Sequence, residues 1–307
     1  MTNMTKKGIF ENFTHPERSH YLEFCEFTNN HKASEAPYFQ GLKFESEGKL
    51  EEAIVAYSKA IELDSQFSAF YQALGNSFAG VGQAEKAIAY NQQASGLHGW
   101  HLCGEKDYQF INNWFSENIP IWEKHLKSFA HKAGSQALEI GSYQGMSACW
   151  LLDNILTDAS ARLVCVDLFC SPWHEQFDSN MLKTGAQSKV TKIANRSQEA
   201  LLLLKPNSYD FIYIDGAHDT AAVLQDAVLS WNLVKTGGLM IFDDYEEATE
   251  HSAKVGTDQF LSLFSASVEV VHQGYQVIVK KTSDEVDFEA LYSFQGGLTE
   301  EMIDSLT

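Results

Sequence analysis

The sequence of 307 residues predicts an α/β fold, namely a mainly parallel sheet with helices on both faces, preceded by an all-α repeat domain. Three observations predict it. From residue 135 onward, apolar β-branched runs alternate with helical stretches, which is typical of a parallel sheet. Several of those runs stop abruptly in acidic residues and glycine, as buried parallel strands do at a carboxyl edge that faces a ligand. Residues 36–98 superimpose on themselves at an offset of 34.

Composition and charge exclude several classes of protein. The formal net charge is −19 and the Lys and Arg residues are scattered, so the surface repels phosphate backbones and a nucleic-acid partner is not expected. No apolar run of about 18 residues exists to span a membrane, and the first residues lack the apolar core of a signal peptide. Five cysteines without CxxC pairing, with Cys149 and Cys165 in apolar patterns, predict buried thiols and a reducing cytoplasmic location.

The first third of the chain is predicted to be two helical hairpins. At the offset of 34, small and apolar residues coincide: Gly41 with Gly75, Phe44 with Phe78, Gly48 with Gly82, Glu51 with Glu85, Ala53 with Ala87, Ile54 with Ile88, Ala60 with Ala94 and Leu63 with Leu97. Spacing and residue type together resemble the tetratricopeptide repeat. In each repeat, two amphipathic helices meet at the small residues and turn near Gly48 or Gly82.

Two repeats cannot bury their apolar faces alone, because about three are normally needed for stability. The cover comes from residues 8–33, from residues 107–133 or from a second chain. The flanking segments are favoured, with a homodimer as the competing possibility. Repeats of this kind more often dock a peptide or protein partner, or the neighbouring domain, than perform chemistry. Five aromatic residues could line a peptide groove, although repeat core is the favoured interpretation: Tyr38, Phe39, Tyr57, Phe70 and Tyr71.

The predicted domains are an N-terminal helical extension (1–35), the two repeats (36–98), a helical bridge (99–134), an α/β domain (135–283) and a C-terminal helical tail (284–307). In the bridge, apolar residues have helical spacing around Pro120, and Gly134 is expected to close the last helix. The α/β domain has seven predicted strands: 136–140, 162–168, 189–194, 209–214, 238–243, 268–272 and 275–281.

Helical stretches at 144–156, 175–184, 197–204 and 219–233 separate the first five strands. The last two follow one another through Gly274 with no room for a crossover helix, so they form an antiparallel hairpin at one edge of the sheet. Residues at strand ends should then converge on one crevice: Glu139, Asp167, Asp215, Asp243 and Asp244.

Five parallel units that close in an antiparallel hairpin resemble the Rossmann-like fold of class I S-adenosylmethionine-dependent methyltransferases over residues 135–282. LEIGSYQGMS (138–147) is similar to the first-strand motif of the catechol O-methyltransferase group, and VTKIANRSQEAL (190–201) to its third strand. IDGAH (214–218) and FDDY (242–245) resemble the metal-dependent O-methyltransferases that act on macrolide sugars. GSYQG differs from the GxGxxG fingerprint of dinucleotide-binding folds, which disfavours a nicotinamide dehydrogenase.

The resemblance implies a binding site for S-adenosylmethionine. It places Glu139, Gly141, Ser142, Tyr143 and Gly145 around the methionine moiety. Glycines in the turn after the first strand also let backbone N–H groups approach a ligand. Asp167, with Leu168 after it, is expected to accept hydrogen bonds from the ribose hydroxyls, unless it is a solvated or helix-capping aspartate. Ser197 and Gln198 would contact the adenine, although Ser197 could also cap the helix that it begins.

Three carboxylates at two neighbouring strand ends predict a divalent cation site. Asp215, Asp243 and Asp244 offer hard oxygen ligands suited to Mg²⁺, and without a cation they would repel one another. In the enzymes that the chain resembles, the matching positions hold the metal. The alternative is that Asp243 or Asp244 caps a helix beginning near Glu246.

His218 is the predicted catalytic base, because it follows Asp215 closely enough to reach a metal-bound hydroxyl. In the connection 170–188, Trp173, His174 and Phe177 are equally consistent with a lid and with packing.

The predicted function is transfer of a methyl group from S-adenosylmethionine to a hydroxyl of a small molecule, such as a sugar, glycoside or catechol-like natural product, with Mg²⁺ or another divalent cation. Asp215 would contact the cofactor, bind the metal and take part in catalysis. Two alternatives remain: a peptide or carrier-bound substrate recruited by the repeats, and a non-catalytic scaffold with a degenerate fold. The sequence does not identify the acceptor.

Overall fold

The computed structural model describes residues 32–170, 173–246 and 252–285. The chain divides into two compact units between Glu123 and Lys124, which lies inside the predicted bridge. Among the described residues, we find no helix with both the length and the apolar character needed to cross a membrane. The N-terminal part of the expected cover, Cys25 and most of the predicted tail lie outside the described residues.

The first unit contains the two predicted helical hairpins. Its helices are α1 (Lys32–Ser46), α2 (Leu50–Leu63), α3 (Ser68–Gly80), α4 (Ala84–Leu97) and the short α5 (Leu102–Glu105). The hairpins turn at Gly48 and Gly82, with φ of +73° and +77°, as the sequence predicts. Small residues let the paired helices approach closely, because a Cβ on Gly41 would overlap the Tyr57 ring.

The aromatic residues of the repeats form the core of this unit. Tyr38, Tyr57 and Phe70 are fully buried, and the rings of Tyr38 and Phe70 lie 4.9 Å apart between centroids. Phe39 packs against the same cluster. The favoured interpretation of these residues as repeat core is therefore confirmed. Part of the cover comes from the predicted flanking segment, because Ile111 also packs against this cluster.

The bridge is helical around Pro120, as predicted. A 3₁₀ turn (Ser116–Asn118) leads into α6 (Ile119–Leu126), and a second 3₁₀ turn (Lys127–Phe129) follows it. Pro120 stands in the first turn of α6, where a missing N–H group costs nothing. The expectation that Gly134 closes this helix is wrong. The helical segment ends at Phe129, and Gly134, with φ of +70°, lies in the turn before the first strand.

The second unit is a seven-stranded sheet with helices in the connections. Its elements are β1 (Gln136–Ile140), α7 (Met146–Asn154), β2 (Arg162–Asp167), α8 (Trp173–Thr184), β3 (Val190–Ala194), α9 (Ser197–Leu201), β4 (Tyr209–Ile214), α10 (Thr220–Trp231), β5 (Val234–Phe242), α11 (Ala253–Leu263), β6 (Val268–Gln273) and β7 (Val277–Lys281). The helix expected near Glu246 would begin at residues outside the described ranges, and α11 follows them.

The strand order is β3-β2-β1-β4-β5-β7-β6. The first five strands pair in parallel, whereas β7 pairs antiparallel with both β5 and β6. The predicted Rossmann-like α/β fold with a closing antiparallel hairpin is therefore confirmed. The order reverses between β1 and β4, and open α/β sheets bind ligands in the crevice beyond the carboxyl ends of the strands at such a point.

Strand β5 begins at Val234, earlier than the sequence predicts. Gly237 adopts φ of +85° within it, and the register of β4 against β5 shifts between Tyr209 and Phe211. The observed strand thus begins four residues before Gly238, the first residue of the predicted strand, and continues through the irregular backbone at Gly237. The core of this unit lies between the sheet and α10 and α11, where Ile212, Met240 and Phe260 are fully buried.

Gly141 provides a test of the packing that holds the crevice together. A Cβ at this residue would overlap the backbone carbonyl oxygen of Asp215, and φ is +84°. We expect Gly141→Ala to lower the free energy of unfolding by about 3 kcal/mol or more, from backbone strain plus overpacking. Gly237→Ala is the matched control, because its φ is +85° with open space around it. Its cost should be only about 1–2 kcal/mol. Equal losses in urea unfolding would contradict the role given to the Asp215 carbonyl.

Candidate active site at the carboxyl ends of the central strands

The ends of β1, β4 and β5 stand side by side. The N–H group of Asp215 donates to the Ile140 carbonyl at 2.8 Å, and that of Asp243 donates to the Ile214 carbonyl at 3.0 Å. These hydrogen bonds extend the parallel ladder by one step on each strand, so the acidic residues after β4 and β5 face the same crevice. A small cavity lies there, lined by Ile214, Asp215, Gly216, Ala217, His218, Val223, Asp243, Asp244 and Ala253.

The loop after β1 is held by the carboxylate at the end of β2. Oδ2 of Asp167 accepts hydrogen bonds from the N–H groups of Ser142 and Tyr143, at 2.8 and 2.9 Å. The N–H groups of Gly141 and Gly145 donate to the carbonyls of Val166 and Ser142. Since these four N–H groups are used within the protein, the expectation that they turn toward a ligand is not met. The glycines permit a tight turn, with positive φ at Gly141 and Gly145.

Asp167 therefore orders the loop, and its second oxygen accepts from the N–H group of Phe169 at 2.9 Å. Each carboxylate oxygen has two lone pairs, so these contacts leave acceptor capacity for ribose hydroxyls. The next residue, Leu168, has 58% of its surface exposed. Exposure of an apolar residue beside Asp167 is consistent with the cofactor contact predicted for this pair.

Glu139 lies beneath the loop with no exposed surface. Its carboxyl accepts hydrogen bonds from the hydroxyls of Ser142, at 2.6 Å, and Ser147. Burial raises the pKa of Glu139 to about 7, and the nearby charge of Asp167 acts in the same direction. The side chain is thus tied to the loop that the sequence assigns to the methionine moiety.

The structure brings Asp215, His218 and Asp244 together. One ligand atom from each of these residues lies within 4.8 Å of the others, close enough for one metal ion to contact all three. His218 Nδ1 is hydrogen-bonded to Oδ2 of Asp244. Because Nδ1 faces a carboxylate, the N–H group belongs on Nδ1, which leaves Nε2 as the acceptor nitrogen. The sequence paired His218 with Asp215 only, so the contact with Asp244 is new.

Asp243 has a different environment from Asp244. Its Oδ2 accepts a hydrogen bond from the hydroxyl of Tyr213, and its Oδ1 accepts from the N–H group of Asp244 at 2.9 Å. Asp244 adopts φ of +55° and accepts from the hydroxyl of Tyr275 through Oδ1. Non-glycine residues at positive φ cluster at functional sites, and aspartate tolerates this region better than most residues.

Tyr213 connects the carboxyl groups of two strands. Its hydroxyl is also 3.0 Å from Oδ2 of Asp215. A hydroxyl has one proton, so it can donate to only one carboxylate and must accept from the other. Either one carboxyl is protonated or a cation compensates the charge. Burial and the charge of Asp244 raise the pKa of Asp243 to about 7, and burial with the charges of Asp243 and Asp244 raises that of Asp215 well above its usual range.

The sequence reasoning did not identify Tyr213 or Tyr275. Tyr213 could have been found, because it lies two residues before Asp215 on a strand and therefore on the same face of the sheet. It has 1% exposure, and a buried tyrosine hydroxyl needs a partner. Tyr275 carries no such signal, since the close approach of the turn between β6 and β7 to Asp244 depends on the tertiary fold.

The residues expected at the adenine begin helix α9. Arg196, not Ser197, occupies the N-cap position, so the alternative interpretation of Ser197 as a helix cap is wrong. Burial raises the pKa of Asp226, a residue of α10 with 1% exposure, to about 6, and the nearby Ser197 hydroxyl opposes this rise. The Gln198 side-chain amide donates to that of Gln225 at 3.3 Å. Both predicted residues are partly exposed and remain candidates for cofactor contact.

Of the possible lid residues, Phe177 is a packing residue. It has 1% exposure, its ring lies 4.8 Å from that of Phe169, and it packs beside Gly145. His174 is half-buried at the start of α8. The side chain of Trp173 lies outside the described part of the chain.

Comparisons with known proteins assign both units. Residues 138–245 match the model of a methyltransferase domain, and residues 41–82 match that of a tetratricopeptide repeat. The chain thus contains a methyltransferase domain preceded by a tetratricopeptide-repeat region.

Among curated proteins, the chain is 29% identical over 116 residues to an uncharacterised protein of Acanthamoeba polyphaga mimivirus, covering 36% of this chain and 51% of that one. It is 30% identical over 106 residues, 34% of this chain and 46% of the relative, to a Mycobacterium sp. (strain JLS) protein whose name assigns it provisionally to the O-methyltransferases. The chain therefore spans about half the length of these relatives.

The solved structures that are similar to the chain include two O-methyltransferases. One is the O-methyltransferase from Bacillus cereus in complex with SAH, at 17% identity and a TM-score of 0.45, over 63% of this chain and 90% of that one. The other is the O-methyltransferase TomG from Streptomyces achromogenes, in complex with SAM and involved in tomaymycin synthesis. Its identity is 16% and its TM-score 0.47, over 64% of this chain and 89% of that one.

The raised pKa values predict how stability depends on pH in protein freed of metal with EDTA. Unfolded carboxyls ionise near pH 4, whereas Asp243 and Glu139 retain protons up to about pH 7 in the folded state. The stabilisation is therefore present at low pH and is lost as the pH rises through 7. We expect the free energy of unfolding to fall by about 1–2 kcal/mol between pH 6.5 and 8. Asp243→Asn should reduce this slope in urea titrations, and a slope of opposite sign would contradict the assignment.

Proposed function

We propose that this chain is an S-adenosylmethionine-dependent O-methyltransferase that acts on a hydroxyl of a small molecule and requires Mg²⁺ or a similar divalent cation. The observation that carries the proposal is the grouping of Asp215, His218 and Asp244 within 4.8 Å at the ends of β4 and β5. Carboxylate ligands beside a histidine base suit activation of an alcohol or phenol oxygen. The methyltransferase-domain match over residues 138–245 supports the reaction class.

The cofactor would occupy the crevice where the strand order reverses. S-adenosylmethionine supplies an activated methyl group on a sulfonium, so the protein has to align it with the acceptor oxygen. In the proposal, Asp167 binds the ribose, with Leu168 beside it, and Ser197 and Gln198 contact the adenine. Residues 141–145 enclose the methionine moiety above Glu139. Asp167 has one unused lone pair, on Oδ1, after ordering the loop, which supports this assignment.

The donor set fits a divalent cation. Asp215, Asp243 and Asp244 are hard oxygen ligands, and Mg²⁺ when bound would lower the pKa of an acceptor hydroxyl. Asp215 and Asp243 share the single proton of Tyr213, so their full ionisation needs a compensating positive charge. Asp244 retains acceptor capacity beyond its bonds to His218 and Tyr275.

His218 would remove the proton from the acceptor. Asp244 holds Nδ1 of the imidazole, which orients the ring and makes Nε2 the basic nitrogen. More than half of the His218 side chain is exposed, so an acceptor could reach it. An acidic crevice favours neutral polyhydroxylated acceptors, such as sugars, glycosides or catechol-like natural products, over phosphorylated ones.

Ligand binding tests the proposal directly. In calorimetry, we expect S-adenosylmethionine and S-adenosylhomocysteine to bind the chain, and Mg²⁺ to raise the melting temperature more at pH 8 than at pH 6.5. The difference arises because ionised Asp243 at the higher pH binds the cation better. Asp215→Asn should abolish the Mg²⁺ effect and leave the repeats folded. Failure of both cofactor forms to bind would favour a non-catalytic scaffold.

Turnover tests the role of His218. A mass-spectrometric screen of hydroxylated acceptors should reveal a product that has gained one methyl group. With that acceptor, His218→Asn should lower kcat by about 100-fold or more, with little change in cofactor affinity.

Asp219→Asn is the matched control for His218. Asp219 is the N-cap of α10 and accepts from the Ala222 N–H group, a role that asparagine also fills. Its turnover should equal that of the unmodified chain. A His218→Asn enzyme with unchanged kcat would remove the histidine from the mechanism.

A further inference from the structure

Residues 108–113, here called the strap, run along the second repeat in the first unit. Four amide side chains on α3 and α4 are hydrogen-bonded to the strap backbone. The Gln92 amide donates to the Tyr108 carbonyl at 2.9 Å, and the Asn91 amide donates to those of Phe110 and Ile111 at 3.1 and 2.9 Å. These hydrogen bonds are made to backbone carbonyls of the strap, so they do not depend on the identity of its side chains.

Asn76 makes the most specific of these contacts. Its side-chain amide donates to the Asn113 carbonyl at 3.1 Å, while its oxygen accepts from the Asn113 N–H group at 2.9 Å. A paired donor and acceptor is the way one peptide group recognises another. Gln72, one turn earlier on α3, donates to the same carbonyl at 2.9 Å. Both amide groups lie on one face of the helix.

The two repeats differ where the strap lies. At the offset of 34, the residues of the first repeat that match Gln72, Asn76, Asn91 and Gln92 are Tyr38, Leu42, Tyr57 and Ser58. In the first repeat, Tyr38, Leu42 and Tyr57 are buried in the core. Three positions that hold buried tyrosine or leucine in the first repeat thus hold amide residues in the second repeat, which is the repeat that contacts the strap. Gly75 accommodates the change, because a Cβ there would overlap Oδ1 of Asn91.

Three buried side chains of the strap anchor it. Tyr108, Phe110 and Asn113 are buried, whereas the residues between them are partly exposed. The rings of Tyr108 and Phe110 lie 5.6 and 6.0 Å from that of Trp100, which follows α4. Main-chain hydrogen bonds combined with buried anchoring side chains are a general mode of peptide recognition.

We propose that the second repeat contains a groove that binds the main chain of a peptide segment, and that its resident ligand is the strap of the same chain. The connection between Leu97 and Tyr108 is short, so the strap is present at an effective concentration in the millimolar range. A peptide from another molecule has to compete with that concentration. The groove is therefore closed to ordinary peptide partners, and recruitment of a peptide substrate through it requires release of the strap.

Binding of a separate strap peptide tests the proposal. The probe is a labelled, end-capped peptide of residues 106–115, measured by fluorescence anisotropy against two forms of the full chain. The unmodified chain should not bind it at about 100 μM, because the strap is in place. The chain with Tyr108→Ser and Phe110→Ser should bind it. Methylation of the probe's backbone nitrogen at the residue matching Asn113 should weaken that binding about tenfold, because the donor to Asn76 is lost.

Hydrogen exchange provides a second measurement that does not depend on the doubly substituted chain being folded. In the full chain, Asn76→Ala removes the oxygen that accepts from the Asn113 N–H group, so the Asn113 amide should exchange at least about tenfold faster. Gln93→Ala is the matched control, since it also removes an amide side chain, at an exposed residue of α4, and should leave the Asn113 amide protected.

Two results would overturn the proposal. One is that the unmodified chain binds the probe as tightly as the chain with the serine substitutions. The other is that Asn76→Ala leaves exchange at Asn113 unchanged. If the substituted chain does not fold, the exchange measurement decides alone. Both measurements are independent of methyl transfer, so they leave the proposed activity untouched whichever way they fall.

Discussion

A single tyrosine proton shared by two carboxyl groups is the constraint on which the candidate site depends. Tyr213 is fully enclosed by the sheet, and its hydroxyl faces Asp215 on its own strand and Asp243 on the next. Ionising both carboxyls leaves more negative charge than one donor can stabilise in a buried position. The site thus has two stable conditions, protonated or bound to a cation. A parallel sheet enforces this choice by holding the two strand ends at hydrogen-bonding distance.

The hydrogen bonds of the two adjacent aspartates, Asp243 and Asp244, show that they have different roles. Asp243 is directed inward, toward Tyr213 and the backbone, whereas Asp244 is directed toward His218 and Tyr275. Adjacent residues on a strand point to opposite faces, and the positive φ of Asp244 changes that relation. The consequence is that Asp243 accepts hydrogen bonds inside the protein, while Asp244 orients the exposed imidazole of His218. An Asp-Asp pair in sequence does not reveal this division, because its cause is backbone geometry.

The fold was predictable because its signals are local and repeated. Alternating strand and helix patterns gave the order of the elements, and the short link at Gly274 gave the antiparallel hairpin. Asp215, His218 and Asp244 were predictable as neighbours because carboxyl ends of parallel strands meet at one edge. The hydrogen bonds from the loop N–H groups to Asp167 were not predictable, since they depend on the side-chain conformation of Asp167. Tyr275 and Asp226 reach the site only through packing between distant elements.

The repeats illustrate the limit of a periodicity argument in another way. Matching residues at the offset of 34 identified the helical hairpins, yet the mismatched residues carry the information about what the second hairpin binds. Replacing a buried tyrosine by Asn91 costs apolar burial, and a buried amide is tolerated only where it is hydrogen-bonded. The strap carbonyls of Phe110 and Ile111 satisfy its donor group. Substitution of amides for apolar core residues therefore points to a nearby backbone, because an isolated repeat would have no partner for them.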